Sequence, residues 1–358
     1  VTILKVGVYT ISLNESQFVQ RWVDSIKDAD YALVADTGST DDTIDLLLKN
    51  NIEVQSIVVK PWRFDDARNA ALAMLPADLD VVISLDMDEV LSANWREHLE
   101  AAWKPGTTRL RYGYVWSWKD GKPDVMFLSD KIAGRFTHRW KCPVHETLTP
   151  TVPETMNVCM PVIIEHHPDS TKPRSQYLRL LELSVAEDPH DDRNSHYLGR
   201  EYFFHGQWHQ AIQEFERHLG LPRATWKAER AASMRYIAKC CQHLGLSDDA
   251  HNWFVRATLE DASSREALID LAQFELARKM YYAVIAHCQQ TLLLPTYTGD
   301  YMAERYARAE GAYDLMAVAH WHLGDKEQAI SYAKDAVMMN PDDRRLQDNL
   351  AKMVGPVA

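Results

Sequence analysis

Beyond about residue 175 the chain carries no strand signal, and apolar residues recur at three- and four-residue spacing almost to the C-terminus, so this half can fold only by packing helix on helix. The half before it reads differently. Short apolar runs at residues 5–12, 31–36, 54–59 and 81–86 read as strands, and helical patterns at 15–27, 41–50 and 65–75 separate them. Strand and helix in alternation predict a mostly parallel sheet with right-handed crossovers. A further helix is expected over 93–103, and 108–164 is strand-like and rich in Tyr and Trp. The expectation is an α/β domain over 1–174 and an all-α domain over 175–358, two cores being the prior for 358 residues.

Composition narrows the class. A net charge of −12 argues against a protein that coats nucleic acid by charge alone. No segment is long and apolar enough to span a membrane, and residues 1–13 read as a first strand rather than a signal peptide. The five cysteines are odd in number and lack paired CxxC spacing, so no disulfide framework or zinc site is indicated, and a cytoplasmic setting is expected.

Chemistry gathers where strands end. Ile83-Ser84-Leu85-Asp86-Met87-Asp88-Glu89 is an apolar strand that stops at two carboxylates one residue apart. Carboxylates spaced that way can turn toward a divalent cation at the carboxyl end of a parallel sheet, where ligands of such sheets bind. The plainer reading is that they cap the helix beginning near Ser92. Upstream, Val34-Ala35-Asp36-Thr37-Gly38-Ser39-Thr40-Asp41-Asp42-Thr43 is a second strand running into an acidic, glycine-turned loop, followed by Phe64-Asp65-Asp66-Ala67-Arg68-Asn69. Asn14, Asp36 and Asp86 all fall at strand ends.

In order and spacing these three motifs resemble the family-two glycosyltransferases of the GT-A fold, over about the first 170 residues. The resemblance implies a nucleotide-sugar donor, with a UDP-sugar preferred, whose diphosphate is bridged by Mn2+ or Mg2+. It implies donor contacts from Asn14, Glu15, Asp36, Arg68, Asn69 and Asp86, with Asp88 as the direct metal ligand. Asp36 would accept a base N–H, Arg68 would fork onto phosphate or base, and Asp41 or Asp42 would cap the next helix. Glu146, in Cys142-Pro143-Val144-His145-Glu146-Thr147, is the implied catalytic base, and His145 an implied metal contact. His166, in Ile163-Ile164-Glu165-His166-His167-Pro168, is the alternative metal ligand.

The helical half carries its own resemblance. Tyr197-Leu198-Gly199, Tyr202, Gly206, Trp208, Ala211, Phe215 and Pro222 resemble one tetratricopeptide repeat, and weaker units follow. The aligned alanines Ala211, Ala250, Ala283 and Ala329 lie 39, 33 and 46 residues apart, an irregular array, with 294–308 as an inserted loop.

Between Lys104 and Lys141 nine basic residues (Lys104, Arg109, Arg111, Lys119, Lys122, Lys131, Arg135, Arg139, Lys141) face three acids (Asp120, Asp124, Asp130), nine minus three or +6, amid aromatic side chains. Such a patch keeps a nucleic-acid acceptor open beside a protein or peptide one. The expected function is therefore metal-dependent, inverting glycosyl transfer to a macromolecule. A nucleotidyltransferase, or a non-catalytic repeat adaptor with a relic nucleotide-binding domain, are the alternatives.

Overall fold

The computed structural model describes residues 4–119, 121–169, 177–296 and 301–355. The chain divides into two compact units, Val1–Ser184 and Val185–Ala358. The boundary expected at 174/175 lies outside the described residues.

The first unit runs β1 (Val6–Ser12), α1 (Ser16–Ser25), β2 (Tyr31–Asp36), α2 (Thr43–Lys49), β3 (Glu53–Ser56), α3 (Phe64–Met74), β4 (Val81–Ser84), β5 (Glu89–Leu91), α4 (Trp95–Ala102), β6 (Arg109–Lys119), β7 (Lys122–Gly134), β8 (His138–Lys141), β9 (Thr147–Pro150) and β10 (Met156–His166). The division falls within the helix that follows, α5 (Tyr177–Glu187). Eight strands form one sheet in the order β3-β2-β1-β4-β7-β6-β10-β5, and β8 pairs with β9 apart from it. The first four strands are parallel, as the alternation predicts. The rest correct the expectation of a mostly parallel sheet, because β7 runs antiparallel to both β4 and β6, and β5 antiparallel to β10. β6 and β7 are joined by a short connection with no helix between them, which makes them antiparallel neighbours; the pairings of β7 with β4 and of β5 with β10 are long-range.

Helices α1 and α4 cover one face. Trp22 of α1 is fully buried and its indole N–H donates to the Leu85 carbonyl at 3.0 Å, pinning the chain just past β4. Fully burying side chains of this size contributes several kcal/mol, so the end of β4 is held by the core itself. Across the tips, Ser12 pairs with Asp36 and Tyr9 with Ser84, which brings the ends of β1, β2 and β4 side by side.

Among the described residues the second unit has helices and no strand: α6 (Asp192–Phe204), α7 (Trp208–Gly220), α8 (Lys227–His243), α9 (Ser247–Glu260), α10 (Arg265–Ala277), α11 (Tyr281–Leu293), α12 (Arg305–Arg308), α13 (Gly311–Leu323), α14 (Lys326–Met339) and α15 (Arg344–Val354). They pack as consecutive helix pairs, α6 on α7, α8 on α9, α10 on α11 and α13 on α14, a tetratricopeptide-like build. A Cβ at Gly199 would lie 2.7 Å from the Phe215 ring, so glycine sets how closely α6 approaches α7.

The repeat register differs from expectation in the third pair. Ala211, Ala250 and Ala329 are fully buried, but there the buried position is Val284 and not Ala283. Each pair turns through a left-handed residue five positions earlier: Gly206 (φ 70°), Gly245 (φ 74°), Lys279 (φ 62°) and Gly324 (φ 85°). Lysine stands where the others have glycine, and this hides the unit in the sequence. Lys279→Gly should therefore stabilise the helical unit by about 1 kcal/mol, read as a higher urea midpoint at unchanged slope.

A polar chain crosses the interior of the same pairs. His196 Nδ1 lies 2.8 Å from Ser233 Oγ, which lies 2.9 Å from His218 Nδ1, and His218 Nε2 lies 3.3 Å from Glu229. Burial pushes the His196 pKa down to about 3 from 6.5, Glu229 opposing. The folded imidazole stays neutral where the unfolded one takes a proton, so stability is complete above pH 6.5 and falls as pH drops toward 3. Between pH 6.5 and about pH 5 the loss should be about 2 kcal/mol, and His196→Leu should flatten that slope in denaturant melts.

Candidate functional site

The acidic strand end builds a buried charge network. Arg68, 7% exposed, projects from the buried face of α3, and its Nη1 donates to Asp86 Oδ1 at 2.6 Å and Ser84 Oγ at 3.3 Å. Its Nε donates to Glu146 Oε1. One guanidinium thus joins the acidic motif to the expected base, which stands sixty residues later in the chain. The ring of Trp140 lies 5.1 Å from the guanidinium carbon, and its indole N–H donates to the Tyr9 hydroxyl at 2.7 Å. On the far side, Lys131 Nζ donates to Asp86 Oδ2 and to Glu89 Oε1, each at 2.9 Å. Glu89 also accepts from the Tyr114 hydroxyl at 2.8 Å and the Asp86 N–H at 2.9 Å. Burial works against the charge on Asp86, but Arg68 and then Lys131 outweigh it and hold the carboxyl far below the usual range. Arg68 in turn has its pKa driven up by Asp86 and Glu146 against its burial.

Asp88 turns to a different partner. Its Oδ2 lies 3.5 Å from His166 Nε2, while His166 stacks on Trp116 at 4.6 Å between centroids. The backbone fixes this pairing twice, through the register His166↔Glu89 and the His167 N–H donating to the Asp88 carbonyl at 2.8 Å. Burial lowers the His166 pKa, and Asp88 more than reverses this. His145, by contrast, packs edge-on against Tyr177 at 5.8 Å with its backbone at φ 49°. Of the two histidines expected to compete for a metal, His166 is the one at the Asp88 carboxylate. Among the described residues no group of three or more His, Cys, Asp or Glu forms a metal-holding set.

The β1 and β2 tips form a second cluster. Asp36, 1% exposed, accepts from Ser12 Oγ, the Gly38 N–H and the Ser39 N–H at 2.9 Å each, and from Ser39 Oγ at 2.5 Å. Burial raises its pKa, and these bonds, led by the Ser39 hydroxyl, bring it below the ordinary value. Four donors fill a carboxylate's acceptor capacity, so in this conformer Asp36 organises its own loop. Asn14, at φ 56°, accepts from the Thr40 N–H at 2.7 Å, and the Glu15 N–H donates to Thr43 Oγ1 at 2.7 Å. Asp41 accepts from the N–H of Ser16 at 3.1 Å and of Thr43 at 3.0 Å, so one carboxylate serves the first residues of both α1 and α2. Burial notwithstanding, the Thr43 and Ser16 bonds hold its pKa at about 2.

Several expectations change. Arg68 is committed to two carboxylates inside the protein, so the fork toward phosphate gives way to a bridging role. Asn69 is likewise occupied: its side chain donates to the Trp140 carbonyl at 3.0 Å and accepts from the Trp140 N–H at 2.9 Å, fastening α3 to β8. Asn69→Ala should cost about 2 kcal/mol in denaturant unfolding, the loss of two such bonds. The +6 patch loses three of its nine cations to the interior, while Lys104, Lys122, Arg139 and Lys141 stay exposed. Arg109 is buried against Asp130 at 2.5 Å and Glu154 at 2.8 Å, Arg135 donates to the Leu75 carbonyl at 2.6 Å, and Lys131 sits in the acidic network. Lys131 is the site residue that sequence reading missed. The Asp120-Gly121 dipeptide, a hairpin signal between strand-like runs, points to the pairing of β6 with β7, the strand that carries Lys131, but not to the place of β7 beside β4.

Comparison with known proteins gives no family. No protein-family model matches the chain, and no curated protein matches it. Among solved structures, a MamA protein is similar at 16% identity over 51% of this chain and 86% of its own, with a TM-score of 0.35. YrrB, described as a TPR protein with an unusual peptide-binding site, is similar at 15% over 49% and 81%, TM-score 0.36. PilF of Pseudomonas aeruginosa is similar at 13% over 49% and 72%, TM-score 0.38. Likeness at these scores decides nothing, and the helix pairs stand on their own packing. Among the described residues no helix is long and apolar enough to cross a membrane.

Proposed function

We propose that the α/β unit transfers a sugar from a nucleotide-sugar donor, in a reaction that depends on Mn2+ or Mg2+, to a macromolecular acceptor. The observation that carries this is the meeting of Asp88 and His166 at the end of β4, beside a buried network that links Asp86 to Glu146 through Arg68. One carboxylate and one imidazole are too few to hold a cation alone, and they fit an ion that takes its other ligands from water and the donor's phosphates. The ion's chemistry would be to neutralise the departing diphosphate. Mixed oxygen and nitrogen ligation favours manganese over magnesium.

The chain's own residues supply the rest. The Ser39–Asp41 loop, fixed by Asp36 and Asn14, borders the nucleotide side. Glu146 keeps Oε1 on Arg68, so Oε2 is the oxygen that takes the acceptor proton, and Arg68 is a positioning residue. Glu146→Gln should leave donor affinity in place and lower transfer about 10²–10⁴-fold. Weakened donor binding instead would move Glu146 to the nucleotide side.

Calorimetry of uridine diphosphate with and without Mn2+ tests the reading. Saturable heat that requires the ion supports it, and absence of any metal-dependent heat favours a repeat adaptor whose first unit is a relic. Pyrophosphate release from a nucleoside triphosphate would point to a nucleotidyltransferase. The acceptor is protein or peptide, or nucleic acid: Arg109, Lys131 and Arg135 are turned inward, but Lys104, Lys122, Arg139 and Lys141 stay exposed.

A further inference from the structure

In the helical unit, the non-helical residues 301–304 lie on three helices at once. The Tyr301 ring stacks on Tyr197 of α6, centroids 6.2 Å and planes 11° apart, and tilts against Trp226 at 5.3 Å. Its hydroxyl donates to Glu229 Oε2 of α8 at 2.5 Å. Three residues on, Glu304 Oε1 accepts from Arg235 Nη2 of α8 at 2.5 Å, and the Glu304 N–H donates to Glu266 Oε1 of α10 at 3.1 Å.

The receiving side chains are already held from behind. Glu229, Arg235 and Glu266 are each 4% exposed. Glu229 is backed by His218, Arg235 by Asp270 at 2.7 Å, and Glu266 by Arg308 at 2.6 Å. Glu304, in contrast, keeps 49% of its side chain exposed. Preorganised buried receptors beneath a half-exposed segment, with backbone as well as side chain recognised, are the anatomy of a peptide on a binding face.

We propose that α6, α8 and α10 form a peptide-reading face and that residues 301–304 are its internal ligand. A partner segment offering a phenol and, three residues later, a carboxylate would compete for that face. A short tether gives the internal ligand an effective concentration of about 1 mM, so the partner must outbid or displace it. This inference stands apart from the sugar-transfer reading.

The test uses the full chain with Tyr301→Ala and Glu304→Ala together, and a fluorescein-labelled peptide with the sequence of residues 301–306. Wild type should show no saturable anisotropy change up to about 1 mM peptide, whereas the double variant should bind, and a scrambled peptide should bind it at least about tenfold more weakly. Should the double variant lose helical circular dichroism, Glu304→Gln, which removes only the ion pair with Arg235, should still let the peptide in at measurable affinity. A folded variant that binds nothing, equal binding by wild type, or equal binding of the scrambled peptide overturns the proposal.

Discussion

Arg68→Ala should destabilise the α/β unit by about 3–5 kcal/mol, seen as a lower denaturant midpoint, because it strips the partner from two largely buried carboxylates. Asp86 and Glu146 have 27% and 11% of their side chains exposed, too little water to compensate either charge fully. Lys131 still serves Asp86 but does not reach Glu146 in this arrangement. Arg68→Lys should recover only part of the loss. A lysine offers a single point of attachment, whereas the guanidinium engages Asp86 and Glu146 from separate nitrogens at fixed spacing. An Arg68→Ala protein as stable as wild type would show that the network is not what holds α3 to the tip of β4.

The second large effect is on activity. Asp88→Ala should reduce donor hydrolysis and transfer by about 10³-fold, with far-ultraviolet circular dichroism unchanged, since the residue keeps 23% of its side chain exposed and anchors little. His166→Ala should lower the apparent affinity for manganese, and His145→Ala should not. If His145→Ala instead raised the metal requirement, the pairing at Asp88 would be incidental. Full turnover by Asp88→Ala would remove the metal assignment altogether.

How much of this was legible in the sequence varied with distance along the chain. β1, β2, α1, α3 and β4 came within a few residues of their observed bounds because a period of two or of 3.6 is a local property. The order of the later strands was not local. β7 lies between β4 and β6, and β10 pairs with β6 across a stretch of some fifty residues, so pairing partners depended on contacts that no window contains. His166 is named from the sequence as an alternative ligand beside Asp88, whereas the ties of Asp86 to Lys131 and of Glu146 to Arg68 have no local signal. Lys131 looked like one cation among nine, and only the β4–β7 pairing brings it to Asp86. Lys279 shows the converse, a residue whose backbone φ matters more than its side chain, at a turn where glycine is the usual signal.

The irregular stretch of β10 has a consequence for His166. Cys159 faces Tyr112 and Ile163 faces Gly113, so Met160, Pro161 and Val162 are extra residues on one strand opposite none on the other. Side chains of a strand alternate between its two sides, so the number of residues in that interruption decides the phase of everything after it. With one residue more before Ile163 and the interruption kept at three residues, the strand would slip by one place, Glu165 would take the position opposite Glu89, and an imidazole would no longer meet Asp88. A distortion remote from the β4 tip thus acts as the indexing notch for the candidate centre.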